Sequence, residues 1–448
     1  MTDQASIMTR TRRRWLLALL WCAGAAGALQ PWRAAHAVLQ IDITQGVTEP
    51  IPVAVVPFAR AVPADGGFDV AAVVQRDLEE SGRFRAMARR DMLSQPARAG
   101  DVQGALWRAA GNDYVVVGRV SSGAGGALLV EFDLVNVLTG QRLGGQRIAA
   151  SAVTLRNAAH RVADFVYEKI LGTRGAFATR IAYVAVDGQP PSRHFQLIVA
   201  DADGENARVV LDSRQPIMSP AWSADGEWLA YVSFENRVSA VYVQRVRTGE
   251  RRQVSARVGV NGAPAFSPDG TRLALTLSGS TGNLDIYVLE LASQQLTRIT
   301  SNPAIDTEPA WTPDGRGLYF TSDRAGGPQI YRVELTDVAR VQRVSFGTAY
   351  NARPRLSADG RWLAFVTRED GRFRIAVQDL GSGAVRSLSG GSLDESPSFA
   401  PNDATLIYAT HEGGRAALAT VSLDGLVSQR LKAERGDIRE PVWGPFVP

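Results

Sequence analysis

Short apolar runs separated by polar turn residues fill the chain from about residue 180 to its end, and they return at a fixed interval. Pro309-Ala-Trp-Thr-Pro-Asp-Gly315 recurs as Pro220-Ala-Trp-Ser-Ala-Asp-Gly226, Pro264-Ala-Phe-Ser-Pro-Asp-Gly270 and Pro354-Arg-Leu-Ser-Ala-Asp-Gly360. A worn copy is Pro397-Ser-Phe-Ala-Pro-Asn-Asp403, and a truncated one is Pro441-Val-Trp-Gly-Pro445. The prolines step by 44, 45, 45, 43 and 44 residues. Each Asp-Gly is followed by a run such as Leu318-Tyr-Phe-Thr-Ser322, a second such as Gln329-Ile-Tyr-Arg332 and a third such as Gln342-Arg-Val-Ser345. These runs are β-branched and aromatic, bounded by Gly, Asp, Asn and Ser, so each predicts a strand. With the proline-led run that makes four strands in roughly 40–45 residues, the arithmetic of a propeller blade.

The motif has a mechanical reading. Proline lacks a backbone N–H and belongs at the start of a strand. The Trp or Phe two residues later can fill the space between blades. Ser-x-Asp-Gly is hairpin chemistry, with the hydroxyl and carboxylate meeting turn N–H groups and Gly taking positive φ. Before the first full motif lie Ile181-Ala-Tyr-Val184, Gln196-Leu-Ile-Val199 and Arg208-Val-Val-Leu211, three strands without the proline-led one. The chain end has the proline-led strand and lacks the other three. The two fragments complement each other, which predicts six blades closed by the C-terminal strand.

The pattern upstream is different. Pro52-Val-Ala-Val-Val-Pro-Phe58 reads as a buried strand, and Asp69 to about Ser81 as a helix with Val70, Val73, Val74 and Leu78 on one side. Asp101 to Ala110 reads as a second helix capped by Asp101. Asp113–Gly118, Leu128–Leu134 and Gln146–Ser151 read as strands. Thr154 caps a third helix whose apolar face carries Leu155, Val162, Phe165, Val166 and Ile170. The fold class expected is therefore multi-domain, an N-terminal α/β domain over residues 51–175 and an all-β six-bladed propeller over 176–448.

Residues 1–37 hold five arginines against the single acid Asp3, then an apolar core from Trp15 to about Leu29 and a small-x-small site at Ala35-His-Ala37. That is a cleavable signal peptide rather than a membrane anchor, because the core is short and is followed by Gln30, Pro31 and Arg33. Thr11-Arg-Arg-Arg-Trp-Leu16 also resembles a twin-arginine signal, leaving the export route open between that and the general one. Without the leader the chain has 44 basic and 44 acidic residues, a balance that does not suggest a nucleic-acid binder. Cys22, the single cysteine, leaves with the leader. Residues 38–50 follow as a mobile partner-binding segment, in which Leu39, Ile41 and Ile43 alternate with Gln40, Asp42 and Thr44 as a strand does. It either pairs within its own domain or adds to the sheet edge of a partner.

Enzymatic chemistry finds little support. There is no Gly-x-Ser-x-Gly elbow. His160, His194 and His411 stand apart, with no metal-binding spacing, and read as structural or surface residues. Gly123-Ala-Gly-Gly126 lacks the Lys-Ser/Thr of a phosphate loop and reads as a hairpin turn. Asp201-Ala-Asp-Gly204 opens like a calcium loop, but its glycine is misplaced, so it reads as a turn. The residues before each proline fall around the channel: Ile217-Met-Ser219, Asn261-Gly-Ala263, Asp306-Thr-Glu308, Ala349-Tyr-Asn-Ala-Arg353, Asp394-Glu-Ser396 and Ile438-Arg-Glu440. This polar, acid-bearing ring is a solvated rim, a docking surface or a cation site.

Several stretches carry a resemblance that covers Ile41 to Pro448. They are Ile43-Thr-Gln-Gly46, Val55-Val-Pro-Phe58, Gly175-Ala-Phe177 with Thr179–Val184, Leu229–Glu235, Asn261–Gly270, Thr307-Glu-Pro309 and Leu393-Asp-Glu395. Together they resemble the TolB family, the periplasmic propeller proteins of the Tol-Pal envelope system. The resemblance implies a non-enzymatic, monomeric adaptor of the periplasm. It would bind the lipoprotein Pal at the channel mouth and TolA through its N-terminal segment, with other envelope proteins as further partners. It would support outer-membrane integrity and constriction during cell division. Carried over, the Pal-facing positions are Met218, Ser219, Val260, Asn261, Ala263, Thr307, Glu308, Asp394 and Glu395. Val260 departs from the histidine associated with that loop. The TolA-binding residues are Leu39, Ile41 and Ile43. No cofactor is required, and calcium at the channel mouth is an expectation the family brings. The alternative reading is an exported propeller enzyme, or a solute-binding propeller, acting on polysaccharide or peptide.

Overall fold

The computed structural model describes residues 49–60, 68–189, 192–279, 282–412, 414–431 and 437–447. The leader with Cys22, and the segment bearing Leu39, Ile41 and Ile43, lie outside the described residues.

The α/β domain contains strands β1 (Ile51–Val55), β2 (Ala59–Arg60), β3 (Phe84–Ala86), β4 (Tyr114–Ser122), β5 (Leu128–Asn136) and β6 (Arg142–Ala150). Its helices are α1 (Val70–Glu80), α2 (Gly104–Ala109) and α3 (Leu155–Leu171). The sheet runs β3-β1-β4-β5-β6, with β2 also pairing β4. β1 is parallel to β3 and β4, and β5 and β6 continue antiparallel. Strand alternation sorts the side chains: Val53 and Val55 meet α1 and α3, while Ala54 and Val56 meet Trp107 of α2. Val74, Leu78, Leu155 and Val162 are fully buried in the first of these layers, each contributing about 1.5–3 kcal/mol through burial.

Helix ends differ in part from the expectation. Asp69 caps α1, accepting from the Ala72 N–H at 3.0 Å. The second helix starts at Gly104 after an uncapped Gln103, and Asp101 instead closes a 3-10 turn over Ala99–Asp101. Val102 turns extended there and packs against the Trp107 layer, so burial breaks the longer helix. Thr154 holds the N-cap position of α3, but its hydroxyl accepts from Ser151 N–H (2.8 Å) rather than from the helix.

The propeller comprises six four-stranded antiparallel sheets. One of them joins Asp437–Trp443 to Arg180–Asp187, His194–Asp201 and Arg208–Ser213, with Trp443 opposite Ile181. The C-terminal strand thus closes the ring. Tryptophans of the motif bridge blades: Trp311 Nε1 donates to Ala265 O at 2.9 Å and Trp222 Nε1 to Val442 O at 3.3 Å. The turn chemistry is as expected. At the first turn Trp228 N–H donates to Ser223 Oγ, Glu227 N–H donates to Asp225 Oδ1, both at 2.9 Å, and Gly226 takes φ 67°.

One expectation is corrected. The repeated proline lies inside the innermost strand, not at its start; Pro220 is the fourth residue of Ile217–Trp222. The ladder register breaks beside it, between Met218 and Ala221, and it breaks likewise in the other five blades. A bulge leaves one position unpaired, and there a missing N–H costs nothing.

Candidate functional site

The bulge sets the geometry of the channel. The residue before each proline takes a left-handed backbone: Ser219 (φ 52°), Ala263 (45°), Glu308 (56°), Arg353 (57°), Ser396 (56°) and Glu440 (50°). Such a conformation costs a side-chain-bearing residue about 1–2 kcal/mol, yet all six blades adopt it. All six residues line a central cavity of about 50 Å³.

The ring is cross-linked by its own side chains. Glu308 Oε1 pairs with Arg353 Nε at 3.0 Å, and Glu308 Oε2 accepts from the Arg353 N–H (3.0 Å) and Thr321 Oγ1 (2.9 Å). Arg353 also donates to Ser396 Oγ, and Glu440 accepts from the Ser219 N–H. Burial pulls Arg353 down, but Glu308, Glu440 and Glu395 outweigh it, so its pKa lies above the ordinary arginine value. Burial pushes the Glu440 carboxyl above the usual carboxylate range.

The residues expected to face a partner fall into three groups. Ser219, Ala263 and Glu308 line the channel. Met218 and Val260 are 41% and 45% exposed on the rim, with Thr307 and Glu395 half-buried beside them. Asn261 and Asp394 are buried, and their side chains brace loops. Asn261 accepts from Ser255 Oγ and Arg257 N–H (2.7 and 2.9 Å), and Asp394 accepts from Gly391 N–H and Thr410 Oγ1 (2.9 and 2.5 Å). Those two shape the rim rather than present a group to a partner.

Sequence reasoning missed the apolar collar around this mouth. Val258 (96% exposed), Ile305, Phe346 (55%) and Leu393 lie in the loops that lead into the innermost strands. The signal was present, since large apolar residues stand between turn residues with no strand to bury them. Arg353 and Glu440 stood in the polar ring read from the sequence without being carried over as partner-facing, and Arg355 stood outside that ring.

The opposite face of the propeller carries the α/β domain. Arg156 of α3 bonds both Asp201 (3.2 Å) and Asp203, Arg76 of α1 reaches Asp203 (3.1 Å), and Arg83 pairs with Asp424. Asp203 and Asp424 belong to turns at the ends of the blades away from the channel mouth. The Asp201-Ala-Asp-Gly204 turn is therefore a joint between domains. His160 is buried within it, Nδ1 2.7 Å from Asp77 Oδ2 and Nε2 3.7 Å from Asp201 Oδ2. Asp77, His160 and Asp203 lie close enough to share an ion, but Arg76 and Arg156 already engage Asp203, so the group is an ion-pair hub. A cleft of about 370 Å³ runs beside it, lined by Glu80, Tyr167, Phe177, Arg430 and Trp443 among others. His194 and His411 stand elsewhere, half-buried, near Asp212 and the Leu393 carbonyl. The three histidines do not converge.

A family model described as the TolB amino-terminal domain matches residues 39–143, and one described as the TolB beta propeller domain matches residues 167–447. The chain is 53% identical over 409 residues to the Tol-Pal system protein TolB of Methylococcus capsulatus, covering 91% of this chain and 95% of that protein. It is 49% identical over 433 residues to that of Thioalkalivibrio sulfidiphilus, covering 96% and 98%. Among solved structures, the crystal structure of TolB from Acinetobacter baumannii matches with a TM-score of 0.82 at 40% identity, covering 89% of this chain and 97% of that one.

Proposed function

Because the chain belongs to the TolB family of Tol-Pal system proteins, we propose that it is an adaptor that docks Pal at the collared channel mouth and TolA through residues 38–47. It is a non-enzymatic propeller protein, and membership of the Tol-Pal system implies protein partners in the cell envelope. Its place is the periplasm, reached by cleavage of the leader near Ala37, and its work is outer-membrane integrity and constriction during division. No helix among the described residues is long and apolar enough to cross a membrane.

The collar carries the reading. Apolar side chains ring a polar, cross-linked channel on the face the α/β domain leaves free, and such a patch on a rigid scaffold marks a protein interaction site. A propeller that binds its solute in the channel is less well supported, because small-molecule pockets run to about 300–1,000 Å³ and the channel cavity is about 50 Å³. The test is calorimetry of the mature protein with purified Pal and with a panel of small saccharides and peptides. Binding of a saccharide but not Pal would overturn the reading. A form starting at Glu49 should lose TolA and keep Pal.

The adaptor also couples its two sites in this reading, with Pal at the mouth biasing whether residues 38–47 are free or held against the body. Limited proteolysis of that segment should change rate when Pal is added; equal rates would remove the coupling.

A further inference from the structure

Two backbone N–H groups of the channel ring already hold a carboxylate. The Ser219 N–H donates to Glu440, and the Arg353 N–H donates to Glu308. In both pairs the carboxylate comes from the same bulge position of the preceding blade. Ser219, Ala263, Arg353 and Ser396 occupy that position in the other four blades. None of them can supply a carboxylate to the next blade.

One residue deeper, five blades carry small or modest side chains after the proline: Ala221, Ala265, Ala310, Ser398 and Val442. The sixth carries Arg355, which lines the cavity. It donates to the Pro354 carbonyl at 2.8 Å. Among the described residues no carboxylate pairs with it, since Glu308 is taken by Arg353 and Glu440 by Ser219. Burial holds Arg355 below the ordinary arginine value, as befits a cation without a counter-ion.

Calcium, which the family resemblance implies at this mouth, does not suit these residues. The channel acids do not converge on one point; among the described residues, groups of acids and histidine close enough to share an ion occur at the Asp77 hub alone. The Arg353 guanidinium already stands among Glu308, Glu440 and Glu395. Calcium prefers six to eight oxygen ligands without a competing cation.

We propose that the channel mouth receives an acidic side chain of the docking protein, with Arg355 as its counter-ion, and takes no calcium. This deepens the docking reading and rests on it. The two internal glutamates show the ligand class that the ring accepts.

The probe is trifluoroacetate, followed by fluorine saturation-transfer NMR on the mature protein. Binding should be measurable, unaffected by calcium chloride, and about tenfold or more weaker in Arg355→Met, the loss expected for a charge-assisted hydrogen bond. Arg355→Lys should restore part of it. Ala263→Glu adds a third internal carboxylate at a position where two blades already carry Glu with the same backbone, so it should fold normally and block the probe. Undiminished probe binding in folded Arg355→Met or Ala263→Glu would overturn the proposal. Calorimetric calcium binding that Glu308→Gln abolishes would overturn it too. Pal capture by the wild-type protein is measured alongside. If Pal is not captured the docking reading falls, whatever the probe does; if Pal is captured and the probe ignores Arg355, only this proposal falls.

Discussion

His160 on α3 and Asp77 on α1 share a buried hydrogen bond of 2.7 Å, Nδ1 to Oδ2, across 83 residues of sequence. The other ring nitrogen faces Asp201 of the propeller at 3.7 Å. Burial alone would lower the histidine's pKa, but Asp201 and Asp77 outweigh it and push it up to about 10. A buried imidazolium therefore ties two helices to a propeller turn, with Arg76 and Arg156 beside it.

This hub makes stability depend on pH. A histidine raised above its ordinary 6.5 stabilises the fold fully below that pH, and the contribution is lost as pH rises through about 10. Glu80, raised by burial from 4.5 to about 7, loses its contribution over that lower window, in the same direction. Urea unfolding should show stability falling from pH 5 to 10. His160→Gln should flatten the upper part and cost about 3–5 kcal/mol at neutral pH by stranding Asp77. Equal pH slopes in both proteins above pH 7 would refute this.

Gly118 of β4 has no room for a side chain. A Cβ there would lie 2.5 Å from Phe58 Cε2 and 2.7 Å from the Glu131 carbonyl oxygen. The carbonyl belongs to the paired strand β5 and cannot move aside. Gly118→Ala should destabilise the protein by about 1–3 kcal/mol, read as a lower urea midpoint with an unchanged slope.

Removing residues 437–448 should open the ring. Arg180–Asp187 would lose its partner strand, leaving an unpaired edge, and the Trp443 bonds to Ser398 and Thr179 would go with it. Exposed edges promote association. The truncated protein should elute as larger species and unfold without a sharp transition; a monomer with wild-type cooperativity would contradict the closure.

The rim gives a test of docking that spares the fold. Met218 and Val260 are exposed, so Met218→Asp with Val260→Asp should leave stability within about 0.5 kcal/mol. Pal affinity should fall about tenfold or more, the scale of losing buried anchors. Calorimetry reads both, and unchanged Pal affinity would move the interface elsewhere.

Much of the site was legible because propeller blades repeat. A motif such as Pro309-Ala-Trp-Thr-Pro-Asp-Gly315 places its hydroxyl, carboxylate and glycine in one local turn, so Thr312 Oγ1 meets Asp314 Oδ1 at 2.6 Å with no help from distant residues. The residues ringing the channel followed from the same register. Their individual roles did not. Asn261 and Glu308 look alike on the page as polar residues ahead of a proline, yet one is sealed into its loop and the other lines the channel.

The sequence alone determined the blade number, the strand that closes the ring and the separate α/β domain, because those depend on periodicity and turn chemistry within about 45 residues. The tertiary structure alone decided that the prolines sit in bulges, that Arg353 answers Glu308 across blades, and that the Asp201–Gly204 turn clasps His160. Each of those depends on which distant groups share a low-dielectric space. Charge and burial there are set by neighbours that no local pattern names.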